Sequence, residues 1–552
     1  MLVAGVSAMA LAVPVGTLAA YAVGVTDVQA NNPQVAGSTG SNTSALFPTN
    51  KQNEPSIAVN PVDPQLLVAG ANDEQQQPAC GPGTVRGSEA SPSDCSFFPG
   101  VGTDGVYTSS DGGLTWTNRG LLDDQSTWNH DFVSDGDPTI AYGPKPDGHG
   151  GFTYGAGARV YYASLMSYWP GSSPYKGGFG YNEFQIVMHS DDNGVHWSAP
   201  VVVNRDNPIT FNDKNALGVD TNRTSPYFGR VYVSWTAFRG AGYGNEPIMV
   251  SFSTDGADTW SSPKQLSPAG NNVTGNGRQG SAIAVTPDGS VMVAFEQGFN
   301  QVVAISHDGG VRWSRPVVIG PVTDIPDPIP GANFRTDSFL SLAADPSDST
   351  GQTAYAAWVS STGATTTGAA SADLVVYQTK DGGSRWSLVA TPYSGTTSSG
   401  FPFFQGLGVA PNGRVDLGWQ SLTATDPGSF GTGNAVIDSW YSESGDGGTT
   451  WSTPLRVSAA SSDPAASAQN NLARQFWGDY NTLVSNESGA WFIYTDSRNG
   501  VGCRAVDAYQ QALVDGTSTV KPAPRSDCSP DAAGRQFGNT DVYVSLIPAP
   551  SP

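Results

Sequence analysis

Three arginines hold matching places in this chain. Arg278 stands just ahead of Ser281-Ala-Ile-Ala-Val, Arg335 ahead of Ser338-Phe-Leu-Ser-Leu, and Arg474 ahead of Gly478-Asp-Tyr-Asn-Thr-Leu. A guanidinium is a planar fork of donors that fits a carboxylate or sulfate through paired hydrogen bonds, so three converging ones make an anion site. The alternative is that each arginine pairs with a nearby acid such as Asp337 or Asp479. Glu54, Asp73, Glu74, Asp135, Asp137, Asp213, Glu296, Asp479 and Asp496 are carboxyl-bearing residues in comparable positions. A pair of such groups, one holding a proton and one not, can hydrolyse a glycosidic bond. Aromatic rings crowd the same segments. Tyr168, Trp169, Tyr175, Phe179 and Tyr181 share one Gly/Pro-rich insert, Phe401, Phe403 and Phe404 precede another apolar run, and Phe476 and Trp477 follow Arg474. Such rings stack on sugar faces or plug a core.

The elements that must position these residues are set by a repeat. Ser109 to Trp116 reads SSDGGLTW, and the pattern Ser/Thr-x-Asp-x-Gly-x-x-Trp returns at Ser190–Trp197, Ser253–Trp260, Ser306–Trp313, Thr379–Trp386 and Ser444–Trp451. Ala257 replaces the Gly in the third copy. The Asp accepts backbone N–H groups across a tight turn, the Gly supplies positive φ, and the Trp packs from the following strand. No copy has the alternating acidic ligands and distal Glu of an EF-hand, so the motif reads as a hairpin fastener rather than a calcium loop.

Alternating or apolar runs precede each copy, for example Arg230-Val-Tyr-Val-Ser-Trp and Val415-Asp-Leu-Gly-Trp. They predict a four-stranded unit with the motif at the turn between its third and fourth strands. A seventh unit lacks the motif and has three strands, Tyr480-Asn-Thr-Leu-Val, Trp491-Phe-Ile-Tyr-Thr and Asp541 to Ile547. Asn32-Pro-Gln-Val-Ala-Gly-Ser resembles the outer strands of other units. Pairing beside Asp541 to Ile547 would close a ring without a free edge. The expectation is an all-β propeller of seven four-stranded blades closed by an N-terminal strand, with six blades as the alternative.

The repeat resembles the Asp box of the sialidase superfamily, over about Glu54 to Ile547. That resemblance implies a glycoside hydrolase acting on acidic glycans, with the boxes on the face away from the site. It also implies a Tyr nucleophile, a Glu that draws its proton and an Asp acid/base. By position these fall on Tyr480, Glu296 and Asp73, with Arg278, Arg335, Arg474 and Trp477 binding substrate. The chain departs from the family at the Phe/Tyr-Arg-Ile-Pro motif near the first inner strand. Here the stretch is Asn53-Glu54-Pro55-Ser56-Ile57, and a Glu repels a substrate carboxylate. Glu54 and Asp73 are therefore a candidate carboxyl pair for another glycoside hydrolysis. The rival function is a non-catalytic propeller that binds glycan or protein at a cell surface.

At 552 residues the chain is long enough for several domains, but a ring of blades is one cooperative unit, so residues 31–552 are expected to form a single domain. The net charge of −22 repels polyanions and argues against nucleic acid. Met1 to Thr26 carries no charged side chain, and Val28-Gln29-Ala30 offers small residues for cleavage. Residues 1–30 thus read as a secretory signal peptide, or as a retained anchor because a basic start is missing. A secreted monomer with no membrane span in its mature form is expected. The four cysteines suit two local disulfides, Cys80–Cys95 and Cys503–Cys528. No G-x-S-x-G elbow, H-E-x-x-H or P-loop occurs, and no cofactor or metal is expected.

Overall fold

The computed structural model describes residues 24–33, 51–76, 102–129, 132–168, 183–204, 210–240, 245–268, 278–364, 369–468, 474–517 and 528–550. Seven four-stranded antiparallel sheets follow one another around a central channel. In blades 1 to 6 the strands run in chain order from the channel outward, with first strands Gln52–Val59, Phe132–Pro146, Phe211–Val219, Arg278–Val285, Ser341–Ala344 and Phe401–Val409. Blade 7 is assembled from both ends of the chain. Thr482–Asn486 lies innermost, then Gly489–Asp496, then Asp541–Pro548, with Thr26–Gln29 outermost.

The ring is therefore closed by an N-terminal strand, but not by Asn32 to Ser38. Asn32 and Pro33 belong to no strand, and residues 34–38 lie outside the described residues. The closing strand pairs Thr26 with Leu546 through Gln29 with Tyr543. Its position follows from Asp27, the first charged residue of the chain. The Asp27 carboxylate is buried, pairs with Arg498 at 2.6 Å, and accepts the Tyr494 hydroxyl at 2.7 Å and the Ala459 amide at 2.8 Å. No residue of Asn32 to Ser38 carries a charge to fill that place.

The hydrophobic core lies in the seams between blades. Ile57, Leu67 and Tyr107 of blade 1 pack on Trp491 and Val544 of blade 7, and the other seams are built alike. Each repeat Trp packs into the seam before its own blade: Trp116 between blades 7 and 1, Trp197 between 1 and 2, Trp260 between 2 and 3, and so on to Trp451. The seam between blades 6 and 7 contains no repeat Trp and is filled by Val25, Tyr441, Phe492 and Tyr494.

The repeats sit at the turn between third and fourth strands. Ser109 Oγ donates to Asp111 Oδ1 at 2.8 Å and accepts the Gly113 amide at 2.9 Å, while Asp111 Oδ1 accepts the Thr115 amide at 2.9 Å. The third copy keeps this geometry with Ala257 forced to φ 76°, the conformation a glycine adopts elsewhere without strain. One disulfide, Cys503–Cys528, is present among the described residues, closing the insert between the second and third strands of blade 7. Cys80 and Cys95 lie outside them. No described helix is long and apolar enough to cross a membrane.

Candidate active site in the channel mouth

The first strands of blades 1, 2, 3, 4 and 6 share a local irregularity. Pairing with the second strand slips between Asn53 and Ser56, Gly136 and Thr139, Asp213 and Ala216, Gln279 and Ala282, and Phe403 and Gly406. Each slip holds one residue in the left-handed region: Glu54 (φ 53°), Asp137 (φ 57°), Lys214 (φ 49°), Gly280 (φ 66°) and Phe404 (φ 46°). A bulge re-aims its side chain out of the ladder, and left-handed backbone at a non-glycine residue is strain that the surroundings must hold. Glu54, Asp137 and Lys214 occupy equivalent bulges in blades 1, 2 and 3, and these bring three charged groups together.

Asn72, on the second strand of blade 1, clamps two of them. Its Nδ2 donates to Glu54 Oε2 at 2.5 Å, and its Oδ1 accepts the Asp137 amide at 2.9 Å. The Asp137 carboxyl comes within hydrogen-bonding reach of both Glu54 and Asp213. The Lys214 amide donates to Asp137 Oδ2 at 2.9 Å and to Asp213 Oδ1 at 3.0 Å. Lys214 Nζ lies over the Tyr480 ring, 3.4 Å from its centroid. Arg335, exposed at the rim, donates to both oxygens of Asp479 at 2.8 and 2.5 Å, stands 3.8 Å from Glu54 Oε1, and stacks over Phe476. A cavity of about 300 Å³ is lined by Lys214, Asp337, Phe404, Asp479 and Tyr480.

Burial, reinforced by the charges of Asp137 and Asp479, pushes the Glu54 carboxyl well above the usual range, with Arg335 opposing. Burial and Asp137 act on Asp213 in the same direction. Burial lowers the Lys214 ammonium and raises the Tyr480 phenol. Glu54 and Asp213 are thus shifted toward the protonated form, while the Tyr480 hydroxyl is buried and without a hydrogen-bond partner among the described residues. The mouth can place a proton donor and further carboxyl groups beside a polar ligand.

Of the residues singled out in the sequence, Glu54, Asp137, Asp213, Arg335, Asp479 and Tyr480 meet here. Others stand elsewhere. Asp73 is fully buried and occupied by Gln52 at 2.7 Å, Tyr107 at 2.7 Å and Gln75. Glu74 is paired with Lys51 at 2.5 Å, and Asp496 with Arg498 at 2.7 Å. Arg474 pairs with Asp327 and does not share Arg335's partner. The Arg278 backbone stands opposite Gln297 at the start of the first strand of blade 4. Trp477 has no exposed surface. It stacks on Phe334 and donates to Gln420 Oε1 at 2.8 Å, so it supports the inner strands rather than offering a face to a sugar. Trp169, Tyr175, Phe179 and Tyr181 lie outside the described residues. Glu296 joins Asp324 and Asp337 in a separate trio, where burial and the neighbouring charges push Glu296 up to about 10 and Asp337 to about 7.

Lys214 and Asn72 escaped the sequence reading. The signal for Lys214 was its place, immediately before the apolar alternation of blade 3, where Glu54 and Asp137 stand in blades 1 and 2.

No protein-family model matches the chain, and no curated protein matches it. Similarity in structure is found to solved proteins. The intramolecular trans-sialidase from Ruminococcus gnavus is 14% identical, with 70% of this chain and 94% of that chain covered and a TM-score of 0.38. The α-L-arabinofuranosidase from Fusarium graminearum is 13% identical, with 75% and 96% covered and a TM-score of 0.42. A protein of unknown function from Dyadobacter fermentans is 13% identical, with 76% and 96% covered and a TM-score of 0.38.

Proposed function

We propose that the channel mouth hydrolyses glycosides, with Glu54 as the proton donor and Asp137 as the second carboxyl group. The observation that carries this is the meeting of the two carboxyls at strained bulges of different blades, with burial and Asp137 itself raising Glu54. A carboxyl held protonated beside one held ionised is the equipment of a glycosidase: the first protonates the leaving oxygen, the second stabilises developing positive charge or activates water. The Tyr480 hydroxyl is the third group in reach. Its raised phenol argues for a hydrogen-bonding role unless a neighbouring carboxylate draws its proton.

The expected acidic-glycan specificity rests on converging arginines. Arg335 is already neutralised by Asp479 and Arg474 by Asp327. With each guanidinium already held by an acid, neither is free for a substrate carboxylate, which favours an uncharged glycan over an acidic one. The apolar leader and the Cys503–Cys528 disulfide support an extracellular setting.

Purified protein assayed on fluorogenic neutral pentosides and hexosides, alongside sialosides and uronides, tests the reading. Turnover of a neutral glycoside that Glu54→Gln and Asp137→Asn abolish is the expected result. Folded protein inert on the whole panel, yet retaining glycan on an array, would place it with the non-catalytic binding propellers.

A further inference from the structure

We propose that Glu296, Asp324 and Asp337 form a calcium site that ties blade 4 to the lead-in of blade 5. Glu296 is the last residue but one of the second strand of blade 4, Asp324 lies in the connection after its fourth strand, and Asp337 precedes the first strand of blade 5. One ligand oxygen from each lies within 4.8 Å of the others. Oxygens on one calcium ion, bound at about 2.3–2.6 Å, stand at most about 5 Å apart. Three oxygens within that limit can share one calcium ion, and a set made of protein oxygens suits calcium, which takes about six to eight oxygen ligands, better than magnesium, which keeps several of its waters.

A second observation points to a ligand. Gln301 lies directly opposite Glu296 on the neighbouring antiparallel strand, so the two side chains share one face of the blade. Gln301 is fully buried. Its Nε2 donates at 2.9 Å to the carbonyl of Ser338, the residue after Asp337, and its Oε1 has no hydrogen-bond partner. A buried acceptor without a donor is uncommon in a folded chain and calls for an explanation. Here it is a neutral amide oxygen on a side chain that faces Glu296 across the sheet and is bonded to the residue beside Asp337. That set of hard oxygen donors suits calcium and gives soft metals no thiolate or imidazole.

The site has a structural consequence. Asp337 stands two residues after Arg335, whose hydrogen bonds to Asp479 form the channel rim. An ion holding Asp337 fixes the backbone from which Arg335 projects. The inference does not depend on the glycosidase reading, because calcium binding is measured without any sugar.

The full chain, treated with EDTA and dialysed, is titrated with calcium chloride by calorimetry, with thermal melting followed in parallel and magnesium chloride as the comparison. One saturable calcium site that raises the melting temperature is expected. Asp324→Asn, which alters the exposed member of the trio, and Glu296→Gln should each weaken binding about tenfold or more, and Gln301→Leu should weaken it in the same direction. Asp255→Asn, at a repeat turn, should leave binding unchanged. The site is overturned by absence of saturable heat, by binding that survives Asp324→Asn and Glu296→Gln, by loss on Asp255→Asn, or by magnesium binding as tightly as calcium.

Discussion

Asn72 donates to Glu54 Oε2 at 2.5 Å and, with the other end of the same amide, accepts the backbone N–H of Asp137 at 2.9 Å. One side chain thereby holds two strained bulges from different blades and fixes how near their carboxyls stand. Asn72→Ala removes both bonds and leaves a buried acceptor and a bulge amide without partners. A loss of about 2–4 kcal/mol is expected, each unsatisfied buried group costing about 1–3 kcal/mol. Urea unfolding followed by circular dichroism measures it, and a loss below about 0.5 kcal/mol, the level of an ordinary surface change, would remove Asn72 from the clamp.

Stability should depend on pH through Glu54. Its folded carboxyl is raised above the ordinary value of 4.5, so the folded state binds the proton more tightly than the unfolded chain. The stabilisation is fully present below about pH 4.5 and is lost as pH rises toward the folded value, because the unfolded state releases its proton first. Glu54→Gln stays neutral throughout and should flatten the fall above pH 4.5 in a series of unfolding curves. A variant whose slope matches the parent shows that Glu54 does not carry the proton.

Much of the ring was legible in the sequence because its turns repeat chemically. Asp111, Gly113 and Trp116 each do a local job, and local jobs survive without knowledge of the neighbours. The closing strand was misplaced because Thr26–Gln29 resembles the end of an apolar leader. Its identity depends on Arg498 and Tyr494, more than 460 residues away. The site was half legible for the same reason. Glu54, Arg335 and Tyr480 could be named as chemistry-bearing residues near inner strands, but the register that turns Lys214 toward Tyr480 is set by a bulge. Trp477 looked like a sugar platform because sequence shows a ring beside a loop and not the Phe334 and Gln420 that cover it.

The two described arginine pairs should respond differently to mutation. Arg474→Ala breaks a half-exposed pair with Asp327 and should change stability by less than about 1 kcal/mol. Arg335→Ala leaves Asp479 and Glu54 without their shared cation. It should lower activity or ligand binding with a small effect on melting, since the guanidinium is itself half exposed. Paired melting curves and assays on the best glycoside decide. Equal functional loss in both variants would mean that Arg474 also reaches the ligand.

The ring's integrity should rest on Asp27. Its carboxylate is buried against Arg498, Tyr494 and the Ala459 amide, and the strand it anchors contributes only four residues to blade 7. Asp27→Ala leaves the largely buried Arg498 with Asp496 alone, and removing one partner of a buried ion pair costs about 3–5 kcal/mol. Asp27→Asn keeps the shape but not the charge and should fall between. The same strand limits where the N-terminal apolar segment could be cleaved. A cut after Ala30 would remove Thr26–Gln29 and expose the edge of Asp541–Pro548, an invitation to aggregation. If the leader is cleaved, N-terminal sequencing of the exported protein should therefore find a start at or before Val25. A stable, monomeric product beginning at Asn31 would show that blade 7 holds with three strands and that Asp27 closes nothing in the mature chain.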